Sequence, residues 1–595
     1  MKLPSYKELT NKAISAFNRF PITLTWAIVG TLFFIWLIEV DSNRLFDYYE
    51  NSLLTFTLGV SWFIGTKFFI EQQKEPQKWQ WIKLVTLVLL ICFYTHLPET
   101  IPYNANPKYY VRFFLYMVAG HLFLFFAPFA FKWSKEAYWN YLKSICIAIG
   151  RSILFSAVLY LGLVLALAAM EYLFDFDING KRYGQLFVFC LGIVNTWTYL
   201  SDFPKNIFQE NTIKYNKALE VFVKYILIPL VILYIIILYA YAIKILIAWD
   251  LPRGWVSNLI IALSFLGFSI QVMVNPVQKT IKSWSINRFY PWFYILLLPL
   301  IILLFVAIFK RISDYGITES RYFLLALALW ILGITLYVLF SKKKRLKILP
   351  ISLFIIIVFS SFGFWGAFSV SKNSQVNHFK QLFLKVKETK NLATNDEYNQ
   401  LKSIIEFLND RESVSRLDKI TGITIEEVIK DTTKSWDNYT MPSNLLDSLG
   451  ITIDPKDSTG IIEAIENNHY YYSNWNKKET HFISGYDYFK SYRFNEYDES
   501  EIASFKIEYL KRSNELWLLS KTDSTKNLVI PLRKTLMALT KYGTNLNDIN
   551  QDELILEASY QNISAKLIFT ELSYYVEKDS VNINSADAYL LLKVN

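Results

Sequence analysis

Residues 314–347 read DYGITESRYFLLALALWILGITLYVLFSKKKRLK and fall into three parts. A polar entry, Asp314–Tyr322, precedes an unbroken apolar run, Phe323–Phe340, and a basic cluster follows it. At about 1.5 Å per helical residue, the run matches a hydrocarbon layer about 30 Å thick. Lys342, Lys343, Lys344, Arg345 and Lys347 mark its far end as cytoplasmic, because Lys and Arg accumulate on that side of short loops. The entry before Phe323 then lies on the other side of the membrane.

The same texture fills the chain before about Val370. The apolar runs predict eleven spans: Ile22–Ile38, Leu53–Ile70, Ile82–His96, Tyr110–Phe131, Ile145–Leu173, Tyr183–Leu200, Val221–Ile247, Val256–Val274, Trp292–Phe309, Phe323–Phe340 and Ile348–Val370. With the N-terminus inside, the inner segments hold Lys2, Lys7, Lys12 and Arg19, then Lys67, Lys74 and Lys78, and later Lys132, Lys135 and Lys143. The outer loops hold fewer cations, such as Arg44, Lys108, Arg253 and Arg321, so the loops alternate as the rule demands. Eleven crossings from an inner start leave everything after Val370 outside. The expected fold is a polytopic α-helical membrane protein of about eleven spans (1–370) followed by an extracytoplasmic C-terminal α+β soluble domain (371–595).

Composition agrees. The 595 residues are 53% hydrophobic and 17% aromatic, above the share usual for a soluble chain. The net charge of +10 is concentrated in the apolar part, since the segment after Ser371 carries roughly 27 basic and roughly 33 acidic residues. Basic loops beside apolar spans suit anionic lipid headgroups, so membrane lipids are the expected partner and nucleic acid is not needed to explain the charge. Cys92, Cys146 and Cys190 lie in or beside apolar runs and offer neither a disulfide framework nor a paired metal spacing. The polar, basic first twenty residues and the long apolar run after them read as a retained anchor, not a cleaved leader.

Polar groups inside spans are costly and mark candidate sites. His121 sits mid-span in FLYMVAGHLFLFFAPF. Asn195, beside Thr196 and Thr198, forms a polar patch in the sixth span, and Gln271 lies in the eighth. Hydrogen bonding between helices accounts for each; a polar pathway through the bundle is the alternative. Pro128, Pro229 and Pro299 can kink helices and free carbonyls. Phosphate-binding loops, zinc-protease and serine-elbow signatures are missing, and five histidines leave little for a metal cluster, so no catalytic, cofactor or metal site is expected.

Several strings together carry a resemblance: HLFLFFAPFAFKWSKEAYWNYLKS before the long fifth span, DYGITESRYFLLALALWILGI, LKSIIEFLNDR and ISGYDYF. The chain resembles a bacterial inner-membrane family known only as domain of unknown function 4153, from about the third span to the C-terminus. The resemblance implies a multi-pass protein of a Gram-negative inner membrane with a soluble C-terminal part. It implies no activity and no catalytic residue.

In the 314–322 entry, Tyr315 and Gly316 suit a turn, Thr318 a helix cap, and Glu319 the positive end of the helix that follows, with Arg321 at the interface. These residues read either as a well-made helix entry or as a docking surface for the soluble part. Ser369–Gln375 reads as a short polar exit. Beyond it, Thr394 with Glu397 and Thr424 with Glu427 read as capping boxes of helices. After about Asn468 the chain turns aromatic and β-branched, as strands do. Tyr470, Tyr471, Tyr472, Trp475, Tyr486, Tyr488, Tyr492 and Tyr497 include either a binding face for a periplasmic protein or glycan, or core positions of alternating strands. Asp487 in GYDY is a lone carboxylate, suited to structural hydrogen bonding. The leading expectation is a non-enzymatic envelope anchor or sensor with its N-terminus cytoplasmic and its C-terminal domain periplasmic. A transporter of a small or lipid-like substrate near His121, Asn195 and Gln271 is the alternative, and an intramembrane enzyme a third reading.

Overall fold

The structure is a computed structural model that describes residues 6–98, 107–209, 213, 215–248, 255–278, 283–342, 344–429, 440–454, 468–473, 483–494, 500–511, 513–521, 523, 526–542, 546, 550–577 and 580–594. It divides into two compact units, one of residues 1–391 and 397–451, the other of residues 392–396 and 452–595.

The first unit is helical. An amphipathic α1 (Tyr6–Arg19) leads into α2 (Pro21–Val40), α3 (Asn43–Glu71), α4 (Ile82–His96), α5 (Lys108–Phe126) and the long α6 (Lys135–Phe174). Among the described residues, nine helices are long and apolar enough to cross a membrane. The expected sixth span, Tyr183–Leu200, is helical without a break from Lys181 to Ser201 but is not a plain α-helix. It is built from α7 (Lys181–Phe189), a π-helical turn (Cys190–Asn195) and α8 (Thr196–Ser201). A second π turn, Val223–Leu227, separates α9 (Lys217–Phe222) from α10 (Ile228–Ala248). Pro229 stands just beyond it and, lacking an N–H, cannot bond back into that turn. Then come α11 (Trp255–Val274), α12 (Trp284–Tyr315), α13 (Glu319–Phe340) and α14 (Ile348–Ser360).

The expected eleventh span is also revised. Gly363, at φ +81°, helps turn the chain after α14, and α15 (Ala367–Glu388) starts a new helix, so the expected polar exit Ser369–Gln375 is helical. At thirteen residues α14 reaches only about 20 Å. It nevertheless runs antiparallel along α5. Lys347, just before it, bonds to Phe129 O at one end of α5, and Arg112 Nε at the other end donates to Ser361 O at 3.1 Å. The chain therefore returns to the rim where Tyr322 OH donates to Trp365 O at 2.9 Å.

Each rim of the bundle has its own ion pairs. On one, Arg19 forks onto Glu71 at 3.1 and 2.9 Å and also bonds the Phe203 and Pro204 carbonyls. Arg151 joins Asp202 at 2.8 Å beside Lys12. On the other, Arg182 meets Glu39 at 2.6 Å and Tyr110 OH donates to Glu50 at 2.6 Å. Between the rims the helices interlock through rings and small residues, as helices without a hydrophobic drive in lipid must. Gly267 of α11, for example, leaves no room for a Cβ against Phe293 of α12.

Past the bundle, α16 (Asn395–Asn409), α17 (Asp418–Thr421), α18 (Ile425–Ile429) and α19 (Met441–Ser448) complete a helical platform with α15. Leu401, Ile404, Ile405 and Leu408 form the buried stripe of α16, at the i, i+3, i+4, i+7 spacing of an amphipathic helix.

The second unit is β-rich. Its smallest sheet pairs β1 (Leu392–Ala393) in parallel with β2 (Thr452–Ile453). A five-stranded antiparallel sheet is ordered β3 (Asn468–Ser473), β10 (Ile563–Glu577), β11 (Ser580–Val594) and β4 (Tyr488–Arg493), with β9 (Ile555–Tyr560) also on β10. A four-stranded sheet follows chain order: β5 (Ser500–Ile502), β6 (Phe505–Leu510), β7 (Glu515–Ser520) and β8 (Leu528–Pro531). Leu567, Phe569 and Leu590 of the first sheet share one core with Ile507, Leu516 and Ile530 of the second and with Leu536 of the helix Arg533–Leu539. Asn514, at φ +53°, turns the β6–β7 hairpin. Its Oδ1 accepts from Tyr509 OH at 2.9 Å, and its Nδ2 donates to Val581 O of β11 at 2.6 Å, tying one sheet to the other.

Candidate functional site

Two of the three intramembrane candidates meet. A cavity of about 450 Å³ between α2, α3, α5 and the α7–α8 segment is lined by both His121 and Asn195. The π turn ends at Asn195. Its extra residue shifts the side chains after it relative to a plain helix, a distortion that recurs at functional sites. The hydroxyls on the cavity wall mostly serve their own helices: Thr31 Oγ1 donates to Ala27 O at 2.7 Å and Thr57 Oγ1 to Leu53 O at 2.8 Å. Asn195 Oδ1 and Tyr199 OH, both of lining residues, are buried with no hydrogen-bond partner among the described residues. Leaving such groups unmet costs about 1–3 kcal/mol each, so polar groups are held here at a cost to the bundle.

His121 Nδ1 lies 2.8 Å from Met117 O, which places a proton on that nitrogen; in the neutral ring Nε2 is then an acceptor. His121 Nε2 is therefore the polar atom open on the wall, with Asn195 Oδ1 and Tyr199 OH buried behind it. Among the described residues, no Asp, Glu, Lys or Arg lines it. The chemistry suits a neutral group bearing hydroxyl or amide hydrogens. Sequence reasoning missed Tyr199, an aromatic residue of the same segment whose one signal was its four-residue spacing from Asn195. Gln271 stands apart. It is 1% exposed on α11, its Oε1 is unpartnered, and it is not among the residues lining this cavity.

The 314–322 entry builds a second cluster, at the rim where α14 ends. Gly316, at φ +69°, ends α12, and α13 starts at Glu319. Thr318 occupies the cap position but makes no side-chain cap bond; nearby, Ser374 Oγ of α15 accepts from Ile317 N at 2.8 Å. Glu319 is 8% exposed. Arg411, just after α16, forks onto it at 2.7 and 2.9 Å, and Ser371 of α15 donates to it at 3.0 Å. The guanidinium also lies 3.6 Å from the Phe407 ring centroid and donates to Phe407 O. Gln375 Nε2 donates to the Tyr315 and Ile317 carbonyls at 3.0 and 3.2 Å. Arg321 donates to the Tyr315 and Gly316 carbonyls and rests over the Tyr315 ring. Lys372 nearby has its pKa pushed down, first by burial and then by Lys108 and Arg416, while Glu319 opposes the shift. The cluster is thus a latch between α13 and the platform, closed by one buried, bidentate ion pair. Arg411 and Ser371 were not singled out from the sequence, because a pair 92 positions apart leaves no local pattern.

Asp487 belongs to the β-rich unit, whereas Tyr315, Glu319 and Arg321 belong to the helical one. Its N–H donates to Leu592 O and its Oδ2 accepts from Val594 N at 2.8 Å, which extends the β4–β11 ladder. Of the aromatic candidates, Tyr470, Tyr472 and Tyr492 are core, whereas Tyr471 and Tyr488 are exposed. Tyr486 is also exposed to a degree, between these classes. Trp475 and Tyr497 lie outside the described residues.

These features define a multi-pass membrane protein with a helical platform and a β-rich unit. Residues 23–390 match the family described as Domain of unknown function (DUF4153), and the chain belongs to that family. The match begins in the first apolar helix, earlier than the resemblance in the sequence, and ends before the β-rich unit. An uncharacterized protein of Pasteurella multocida is 25% identical over 345 residues, which cover 57% of this chain and 55% of that protein. The chain thus spans about half the length of this curated relative. No solved structure matches.

Proposed function

We propose that the chain is a non-enzymatic anchor or sensor of a bacterial inner membrane. On this reading the N-terminus is cytoplasmic, and the platform and β-rich unit face the periplasm, where they take a protein or glycan partner. The observation that carries the reading is the latch. Glu319, Arg411, Ser371 and Gln375 join a bundle helix to the first helices beyond the membrane, so a change on either side reaches the other through a buried ion pair. The lysine-rich Lys342–Lys347 end supplies the orientation. The test is a pair of fusions after Asn595, one to alkaline phosphatase and one to green fluorescent protein. Phosphatase activity without fluorescence is expected, and fluorescence without phosphatase activity would remove the periplasmic assignment.

A second reading, uptake or passage of a small neutral solute, draws on the cavity that holds His121, Asn195 and Tyr199. The two are separated by His121→Leu. An anchor keeps its cellular phenotype with that change and loses it when 372–595 is deleted. A transporter loses it with His121→Leu while the folded protein persists.

A further inference from the structure

A second cavity, of about 530 Å³, opens between α5, α6, α11, α13 and α14 and differs in chemistry from the first. Its depth is dry. Phe265, Phe268, Trp330 and Leu353 line it, and the polar atoms nearby are already spent: Trp330 Nε1 donates to Ser352 Oγ at 2.9 Å and Ser269 Oγ to Phe265 O at 2.8 Å. Nothing there meets a polar solute, and hydrocarbon fits it. Its mouth is at the Lys342–Lys347 rim, where Leu346, Trp139 and Lys143 line it. Along α11 it extends from Met273, near that rim, to Phe265, about 12 Å at the helical rise. That is the depth of one leaflet's chains in a core about 30 Å thick.

A smaller recess adjoins the mouth. It shares Tyr138, Trp139, Val272 and Leu346 with the cavity and adds Lys135 and Asn275. Lys347 lies over Trp133, which also lines the recess, and its pKa is held down by burial. The carboxylate nearest in sequence is Glu136, within hydrogen-bond reach of Ser134 Oγ. Glu220, next to the lining residue Leu219, acts on Tyr215 beside Trp139, so Lys135, Lys143 and Lys347 stand against two carboxylates at the mouth while the interior is apolar.

We propose that this cavity binds one anionic glycerophospholipid, an acyl chain in the apolar depth and the phosphate between Lys143 and Lys135. The two lysines account for a preference over zwitterionic lipid of about fivefold each. Cys146 lines the cavity and is exposed, so it reports occupancy directly. The experiment follows maleimide alkylation of Cys146, read at the peptide level, in full-length protein in detergent titrated with phosphatidylglycerol or phosphatidylcholine. Phosphatidylglycerol should slow alkylation at a concentration at least tenfold lower than phosphatidylcholine, in keeping with about fivefold per lysine. In K135Q/K143Q the two lipids should protect alike, at the phosphatidylcholine level. Equal protection of the unaltered protein by both lipids, or protection by neither, overturns the proposal. A preference that survives K135Q/K143Q overturns the headgroup placement.

Discussion

Removing one member of the latch should have a large effect. In Glu319→Ala, Arg411 keeps its bond to Phe407 O and its contact with the Phe407 ring but faces a pocket from which its counter-charge has gone. The two side chains are 10% and 15% exposed, so water screens the loss poorly. Breaking a buried pair of this kind costs about 3–5 kcal/mol. Ser371 loses its acceptor as well. Arg411→Ala should cost a similar amount, and the double variant should cost clearly less than the sum, since neither charge is then stranded. The assay is a double-mutant cycle on full-length protein in detergent, with unfolding followed by tryptophan emission and by protease susceptibility of the platform. Arg411→Lys should recover little, because an ammonium cannot fork onto both carboxylate oxygens. A coupling energy below about 0.5 kcal/mol, as for exposed ion pairs, would refute the assignment of Glu319 and Arg411 as a latch.

Three further outcomes follow from the packing. Gly267→Val should force α11 away from Phe293 and destabilise the bundle by about 1–3 kcal/mol or more, read as a lower melting temperature in detergent. Asn514→Ala should cost about 2–4 kcal/mol, since it removes two hydrogen bonds and places alanine at a left-handed turn; an effect under about 0.5 kcal/mol would mean the two sheets are not tied there. Phe569→Ala, at a fully buried site shared by both sheets, should cost about 3–5 kcal/mol and lower the near-ultraviolet circular dichroism of the β-rich unit.

Apolar periodicity made the membrane helices legible, because a bilayer demands long uninterrupted runs whatever the neighbours are. It failed where backbone and side chain are set by distant contacts. The π turn at Cys190–Asn195 leaves no compositional mark, so the sixth span was legible as a helix but its extra residue was not. The run Ile348–Val370 is apolar throughout, but its turn depends on Gly363 and on α15 meeting Glu319 through Ser371. His121 and Asn195 were readable because polar groups are expensive in lipid, whereas Gln271 looked the same in sequence and lies elsewhere. The strand alternation that makes Tyr470 and Tyr472 core leaves Tyr471 outside, and no sequence signal beyond that alternation says which set faces in.

The smallest sheet places a constraint on the order of synthesis. Parallel strands cannot be joined by a tight turn and need a crossover of a dozen residues or more. Between Leu392–Ala393 and Thr452–Ile453 that crossover is the run of helices α16 to α19. As the chain emerges, Leu392 must therefore wait for its strand neighbour until every one of those helices has been made. Arg411 can thus grip Glu319 as soon as α16 is clear of the ribosome, whereas the β-rich unit gains its second strand only when Thr452 follows.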